Sequence, residues 1–165
     1  MKILVVSDTH RYNDNFLKVL ELEGPVDMVI HCGDIEGSEY LYEEASGCPC
    51  YMVTGNNDFF SNLPRECEIG IGKYKVLITH GHYYYVSMGN EMLKQEALSR
   101  GVDIVMYGHT HRPIIDCSNG VIAINPGSLT YPRQEGRLPS YIVMTVDDSG
   151  VSEPGFEIKY LAKNL

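Results

Sequence analysis

Apolar residues occur along the chain in short continuous runs, each followed by polar residues or glycine. A run of this length is typical of a strand that is buried on both faces of a sheet covered by helices. Two segments with apolar residues at near-helical spacing separate the first three runs, and a glycine follows each segment. The predicted elements are strands at Ile3–Val6, Met28–Ile30 and Cys50–Thr54 and helices at Asn13–Glu23 and Ser38–Ser46. This alternation predicts a βαβαβ unit with a parallel sheet.

The second half of the chain is richer in predicted hairpins. Asn119-Gly120 is a strong turn signal between two of its strands. With 165 residues and no internal repeat or linker, we expect one domain that spans residues 1–165. The predicted elements are hairpins at Glu66–Ile71 with Lys73–Thr79 and at Ile114–Asp116 with Val121–Ile124, a helix at Glu91–Arg100, and strands at Val102–Met106, Tyr141–Val146 and Phe156–Tyr160.

Side chains that can bind metal follow five of the predicted strands. Residues i and i+2 of an extended chain point the same way, so we expect Asp8 and His10 to leave the first strand on one side. Open α/β sheets commonly hold ligands at the carboxyl ends of their strands. The candidate ligands, which include four of the six histidines, are Asp8, His10, Asp34, Asn56, His80, His109 and His111.

These side chains offer oxygen and imidazole nitrogen, with no cysteine placed among them. Such a set favours Mn, Fe, Co, Ni or Zn over a zinc–thiolate site. Seven groups are too many for a single ion that must keep an open position for chemistry. They suit two ions about 3.5–4 Å apart that share one carboxylate. Asp34 is central in the sequence order and is the expected bridge.

Composition limits the kinds of molecule that the protein is expected to bind and the cellular compartment in which it is expected. A net charge of −9 argues against an extended nucleic-acid surface but permits a small phosphate substrate at a local positive site. The apolar run that starts at Ile3 is too short for a secretory or membrane segment, and five cysteines show no paired CxxC spacing. We therefore expect a cytoplasmic protein with reduced thiols and no membrane association. Cys48-Pro-Cys50 is interpreted as small residues that enter a strand rather than as a redox site.

The candidate ligands and their flanking glycines resemble the motifs of the calcineurin-like metallophosphoesterases, in the same order. The short length and the segment Asn125–Ser128 resemble the small YfcE-like branch of phosphodiesterases, which is related to Vps29. The resemblance extends from Ile3 to about Arg133. The motifs that carry it are Asp8-x-His10, Gly33-Asp34, Gly55-Asn56-x-Asp58, His80 and Gly108-His109-Thr110-His111.

The resemblance implies a metallo-dependent phosphatase fold, which is a four-layer αββα sandwich of two mixed β-sheets flanked by helices. It also implies a phosphodiesterase with two divalent ions, most readily Mn, in which a hydroxide that bridges the ions attacks phosphorus. No protein nucleophile is needed. The implied ligands are Asp8, His10, Asp34 and His111 for one ion and Asp34, Asn56, His80 and His109 for the other.

One position departs from the pattern of many larger relatives. They carry a histidine directly after the asparagine ligand, where it is taken to protonate the leaving group, and this chain has Asn57. An amide can donate a hydrogen bond but cannot supply a proton, and general acid help is typically worth about 10²–10⁴-fold. We therefore expect the best substrates to be diesters with acidic leaving groups, unless another acid such as His82 is recruited.

Other polar residues near the motifs have roles that the sequence leaves open. His82 is either at the pocket rim, in contact with substrate, or on the surface. Arg133 is either a phosphate clamp or a solvated loop residue. Asp58 is expected to brace the turn at Asn56, and His31 to be a hydrogen-bonded core histidine.

Two rival functions remain for the same chain. One is a phosphomonoesterase at the same centre, and the other is a protein-interaction scaffold like Vps29. A scaffold tolerates loss of ligands, whereas every expected ligand position here carries a competent residue. Tyrosines at 83–85 and 131 suggest an interface for a homo-oligomer.

Overall fold

The computed structural model describes residues 1–162, and the following bounds refer to that range. The α-helices are α1 (Asp14–Glu23), α2 (Glu39–Ser46) and α3 (Glu91–Ser99), and single 3₁₀ turns lie at His82–Tyr84 and Val86–Met88. The strands are β1 (Lys2–Val6), β2 (Met28–His31), β3 (Cys50–Met52), β4 (Glu66–Ile71), β5 (Tyr74–Thr79), β6 (Ile104–Met106), β7 (Pro113–Asp116), β8 (Ile122–Pro126), β9 (Ser140–Thr145) and β10 (Gly155–Tyr160).

The strands form two five-stranded sheets. The first has the order β10-β9-β1-β2-β3 and the second the order β4-β5-β6-β8-β7. In the first sheet β1, β2 and β3 run parallel, as predicted for the βαβαβ unit. Strand β9 pairs antiparallel with β1, and β10 pairs antiparallel with β9. In the second sheet β5, β6 and β8 run parallel, and the edge strands β4 and β7 pair antiparallel. Both sheets are therefore mixed.

Three layers of buried apolar side chains hold the sheets and helices together. Ile3, Val5 and Ile30 alternate toward the space between the sheets, where they meet Val76 and Ile78 of β5. Leu4, Val6 and Val29 face outward and pack with residues of α1 and α2. Leu77 and Val105 face outward from the second sheet and pack with α3. The order helix, sheet, sheet, helix confirms the predicted αββα sandwich.

The predicted elements agree with the observed ones to within a few residues at their ends. Asn119 and Gly120 both have positive φ (58° and 78°) in the turn between β7 and β8, where the sequence predicted a turn. Cys50 lies in β3, and neither it nor Cys48 forms a disulfide. Within residues 1–162, no helix has the length and apolar character needed to cross a membrane.

Candidate metal centre

Strand ends from both sheets meet at one edge of the sandwich, and they bring the candidate ligands together. Asp8 and Asp34 follow β1 and β2 of the first sheet, and Asn56 follows β3. His80 follows β5 of the second sheet directly, and the His109–His111 loop follows β6. The centre therefore lies where the two parallel cores of the sandwich end side by side.

The ligand-bearing loops do not continue the extended chain of their strands. β1 ends at Val6, and Asp8 and His10 have φ values of 54° and 46°, so the expectation that extended geometry aligns them is wrong. Backbone hydrogen bonds between the loops hold this shape instead: Asp8 N–H donates to Gly33 O at 3.0 Å, and His10 N–H donates to Asp34 O at 2.9 Å. The left-handed turns bring both side chains back toward the same point.

Candidate metal-ligand atoms from four residues lie together in a first group. The residues are Asp8, His10, Asp34 and His111. His111 Nε2 lies 3.1 Å from Asp8 Oδ1 and 3.3 Å from His10 Nε2. His10 Nε2 lies 3.8 Å from Asp8 Oδ1 and 3.7 Å from Asp34 Oδ2. We call these residues the first quartet.

Asp34, Asn56, His80 and His109 form the second quartet. Asn56 Oδ1 lies 3.0 Å from His80 Nε2 and 3.0 Å from His109 Nδ1. His80 Nε2 is 3.5 Å from Asp34 Oδ2, the same oxygen that faces His10 in the first quartet. Asp8 Oδ1 is also 3.9 Å from His80 Nε2, so two carboxylates lie between the imidazoles of the two quartets.

The outer nitrogens of three histidines are anchored to acceptors. Nδ1 of His80 lies 2.7 Å from Cys32 O, and Nδ1 of His111 lies 2.7 Å from Tyr131 O. Nδ1 of His10 lies 3.2 Å from the carboxylate of Glu36. A neutral ring that donates from Nδ1 presents a lone pair on Nε2, the tautomer that binds metal. The inward-facing atoms are therefore acceptors that face one another.

Such a convergence of acceptors needs a cation or protons among them. Asp8 Oδ1 is fully buried and accepts no hydrogen bond from residues 1–162, and Asp8 belongs to two overlapping sets of potential metal ligands. Burial of an uncompensated carboxylate is costly. The donor set, oxygen and imidazole without thiolate, therefore fits divalent transition metals.

The electrostatics of the protein alone point in the same direction. Burial opposes the charge of His80, but the carboxylates of Asp8 and Asp34 outweigh it and raise the pKa of His80 to about 9. Burial likewise opposes the ionisation of Asp34, yet hydrogen bonds and charge from His80, together with Asn57, lower its pKa. Negative charge is therefore retained at this buried edge, where it attracts cations.

The sequence of this chain also matches known proteins. A model of the calcineurin-like phosphoesterase superfamily domain matches residues 1–149. The chain belongs to this family. The predicted resemblance is thereby confirmed, and the metal dependence of the family agrees with the chemistry of the two quartets.

Relatives with three different names are similar to this chain. The probable metallophosphoesterase MJ0623 of Methanocaldococcus jannaschii is 36% identical over 151 residues, which cover 90% of this chain and 77% of the relative. Phosphodiesterase MJ0936 of the same organism is 31% identical over 146 residues, covering 77% of this chain and 83% of the relative. Vacuolar protein sorting-associated protein 29 of Schizosaccharomyces pombe is 27% identical and covers 88% of this chain and 85% of its own length.

A solved structure supports the fold. The crystal structure of a conserved protein of Streptococcus pneumoniae, described as a predicted phosphoesterase, superposes with a TM-score of 0.81 at 29% identity. The match covers 96% of this chain and 88% of that chain. The sandwich is therefore the one used by other calcineurin-like phosphoesterases.

Asp58 and Asn57 shape the loop that carries Asp34. The carboxylate of Asp58 accepts hydrogen bonds from the backbone N–H groups of Asp34, Glu36 and Gly55 at 2.6–2.8 Å. Asn57 donates from its backbone to Asp34 Oδ1 at 2.9 Å and from its side chain to Asp34 Oδ2 at 2.8 Å. Asp58 therefore connects the loops of both Asp34 and Asn56.

The other predicted residues lie near the centre but outside the two quartets. His82 begins a 3₁₀ turn rather than an extended segment, so the geometric premise for its position is wrong, yet its ring lies 5.3 Å from that of His80. Arg133 is exposed, and its backbone N–H donates to His111 O at 3.0 Å. His31 is buried and bonded to Thr9 Oγ1 at 2.9 Å, which agrees with a core role.

The sequence did not indicate the supporting role of three polar residues near the centre. Glu36 faces Nδ1 of His10, as described above. Asn125 donates to Gly108 O at 2.9 Å, and Ser128 donates to Asp8 O at 2.7 Å. Asn125 and Ser128 are both fully buried. They lie in the segment 125–128, from which the sequence indicated only a family resemblance. A polar segment directly after a predicted strand was the available signal.

Proposed function

We propose that this chain is a phosphodiesterase in which each quartet would hold one divalent cation, with Asp34 belonging to both quartets. The observation that carries the proposal is the convergence of buried acceptor atoms, with Asp8 Oδ1 lacking a hydrogen-bond donor among residues 1–162 and the histidines 3.0–3.9 Å from the oxygens of candidate ligands. Mn is the expected ion, and Ni, Co, Fe or Zn suit the same ligands.

When bound, two such ions supply a deprotonated water as nucleophile and positive charge that stabilises the phosphoryl oxygens. The protein's part is orientation. Cys32 O, Tyr131 O and Glu36 fix three imidazole rings through their outer nitrogens. Asn57 fixes both oxygens of Asp34. A centre held in this way needs little rearrangement when a phosphate group arrives.

The surface around the centre favours a substrate with two arms. One cleft borders the His109–His111 loop and is lined by Thr110, Arg112 and Arg133, among others. A second cleft borders the second quartet and is lined by residues that include Asn56 and His82. A phosphodiester has a substituent on each side of phosphorus, whereas a monoester has one, so the pair of clefts supports diester hydrolysis.

The absence of an acid at position 57 restricts the leaving group. The Asn57 amide is already engaged with Asp34 and carries no proton to transfer. Diesters whose leaving group is acidic are therefore the expected substrates. With a net charge of −9 on the chain, small diesters in a cytoplasmic setting are favoured over long nucleic acids.

The test is a metal add-back assay. Protein stripped of metal is supplied separately with Mn, Ni, Co, Zn or Mg, and turnover of bis-p-nitrophenyl phosphate is compared with turnover of p-nitrophenyl phosphate. We expect activity that depends on added metal, with a higher kcat/KM for the diester. Metal content, measured by mass spectrometry, should approach two ions per chain.

Matched variants sharpen the assay. Asp34→Asn removes the shared charge and should abolish metal-dependent turnover, while Asp148→Asn alters an exposed carboxylate (88% exposed) and should not. Failure of the purified chain to bind any divalent ion would overturn the proposal. A higher kcat/KM for the monoester would favour the phosphomonoesterase alternative, and metal binding without turnover of either ester would favour the scaffold.

A further inference from the structure

A cleft of about 650 Å³ adjoins the His109–His111 loop of the candidate metal centre. Its wall includes Thr110, which separates the two histidines of the His109–His111 loop, and Arg112, which follows His111 directly. Arg133 also lines it and is tied to His111 through its backbone. The volume lies within the range of roughly 300–1,000 Å³ that is typical of small-molecule sites.

Arg112 and Arg133 are the cationic residues of this cleft. Both are exposed, and within residues 1–162 neither guanidinium forms an ion pair with a carboxylate. Arg100, in contrast, is paired with Glu66 and Glu96. Two arginines without a carboxylate partner in that range line the same cleft of a chain with a net charge of −9, which favours a local anion site.

The cleft has a charge gradient along β7. Arg112 precedes this strand and Asp116 ends it, and a strand of four residues separates them by roughly 13 Å. The Asp116 carboxylate is neutralised by Lys94 at 2.9 Å and accepts from Asn90 at 3.1 Å. The positive end is therefore the one next to the metal centre.

The rest of the wall is mixed, because Ser87, Asn90 and the carboxylate of Glu91 lie beside apolar residues. Val86, Tyr107, Pro113 and Ile114 line the cleft, and the Ile114 side chain is partly exposed. Surfaces of this kind pack against flat or aliphatic groups, while arginines at one end fix an anion. An occupant with an apolar body and an additional phosphate meets both requirements.

We propose that this cleft binds one arm of the diester substrate, and that Arg112 and Arg133 together bind a second phosphate carried by that arm. The inference rests on the proposed phosphodiesterase function and adds to it a substrate class, namely diesters with a further phosphate on one substituent. Neither arginine touches the reacting phosphorus. Their role is selection of the substrate by charge.

The test compares two diesters that share an acidic leaving group and differ only in a terminal phosphate, thymidine 5′-(p-nitrophenyl phosphate) with and without a 3′-phosphate. For the Mn-loaded protein, we expect kcat/KM to be at least about tenfold higher for the phosphorylated probe, mostly through a lower KM, because two charge-assisted contacts are gained. Arg112→Gln and Arg133→Gln should each reduce this ratio several-fold. Arg137→Gln, a nearby exposed arginine outside the cleft, should leave the ratio unchanged.

Equilibrium binding of the same two probes, by calorimetry without added metal, measures the cleft independently of turnover. Preference for the phosphorylated probe that is lost in Arg112→Gln and Arg133→Gln supports the proposal even if no diester is hydrolysed, a result that would overturn the proposed function alone. Equal affinity and equal kcat/KM for both probes would overturn the subsite. A preference that survives both substitutions would overturn the assignment to these arginines.

Discussion

The side-chain amide of Asn57 donates a hydrogen bond to Asp34 Oδ2 at 2.8 Å, and the backbone N–H of the same residue donates to Asp34 Oδ1 at 2.9 Å. One residue thus holds both oxygens of the carboxylate that faces His10 and His80. Position 57, which carries an amide rather than an acid, therefore orients the carboxylate of a candidate ligand. The departure therefore has a structural role in this chain.

Loss of the Asn57 amide should weaken metal binding. In Asn57→Ala the Asp34 carboxylate loses a fixed donor and gains rotational freedom, and loss of such an outer partner typically costs about 10–100-fold in metal affinity. The apparent affinity for Mn, obtained by titration of metal-free protein, measures the effect. Asn62→Ala, at an exposed position of the neighbouring loop, is the matched control and should bind Mn as the unaltered protein does.

A histidine at position 57 should change the dependence on leaving group. Asn57→His introduces a group that can donate a proton, but it removes the hydrogen bond from the Asn57 side-chain amide to Asp34. Turnover of diesters with acidic leaving groups should therefore fall. Turnover of diesters with poor leaving groups should fall less or rise. The ratio of turnover with poor leaving groups to turnover with acidic leaving groups should increase at least about tenfold, which is below the roughly 10⁴-fold limit of general acid catalysis. A series of aryl diesters of graded leaving-group pKa measures it. Equal changes across the series would contradict the prediction.

Close packing of Gly108 against Asp8 makes this glycine sensitive to substitution. A Cβ at Gly108 would lie 2.1 Å from Ser7 Oγ and 2.6 Å from Asp8 Oδ2. Gly108→Ala should therefore displace the Asp8 carboxylate, lower the free energy of unfolding by about 1–3 kcal/mol and weaken Mn binding. Urea unfolding and Mn titration measure both effects. Gly70→Ala, where a Cβ meets nothing within 4 Å, should leave Mn binding intact.

Glu23 joins α1 to three strands of the first sheet, and its contribution should depend on pH. Its carboxylate lies 2.9 Å from Lys2 Nζ and 2.7 Å from Lys159 Nζ, and it accepts from Tyr141 OH at 2.7 Å. Burial would raise the pKa of Glu23, but these partners outweigh it and lower the pKa from 4.5 to about 2. Because the folded pKa is the lower one, the stabilisation is present above pH 4.5 and is lost as pH falls toward 2.

Glu23→Gln should accordingly lower the free energy of unfolding by about 1–2 kcal/mol at pH 7, a value discounted for solvent screening. The difference from the unaltered protein should narrow below pH 4.5. Urea unfolding across this pH range measures it, and Glu21→Gln, an exposed neighbour on α1, is the control. A difference that stays constant with pH would show that charge is not the cause.

The sequence predicted the elements, and the strand ends at which the candidate ligands lie, better than it predicted the loops between them. Buried strands such as β1 are continuous apolar runs, and Asp8, Asp34 and His80 follow such strands directly enough for the edge of the sheet to be inferred. The shape of the loops was not predictable from strand geometry. Extended geometry would align Asp8 and His10, but the observed backbone has positive φ at both residues.

The supporting residues depend on contacts between distant parts of the chain. Ser128 bonds Asp8 across 120 positions, and Glu36 reaches His10 across 26. Neither contact has a local pattern, since a serine after proline-glycine and a glutamate after Asp-Ile both occur in ordinary loops. The hydrophobic periodicity of a helix or strand indicates which of its residues face the core. It carries no information on which loops contact each other.

Of the seven candidate ligands, Asp8, His10, Asp34, His109 and His111 have φ between 46° and 70°, a region that residues other than glycine seldom adopt. Copying these side chains onto the strands of an unrelated scaffold would therefore scatter them. An engineer who wants this centre elsewhere must transplant the turns as well, together with the buried polar residues that keep each turn in place.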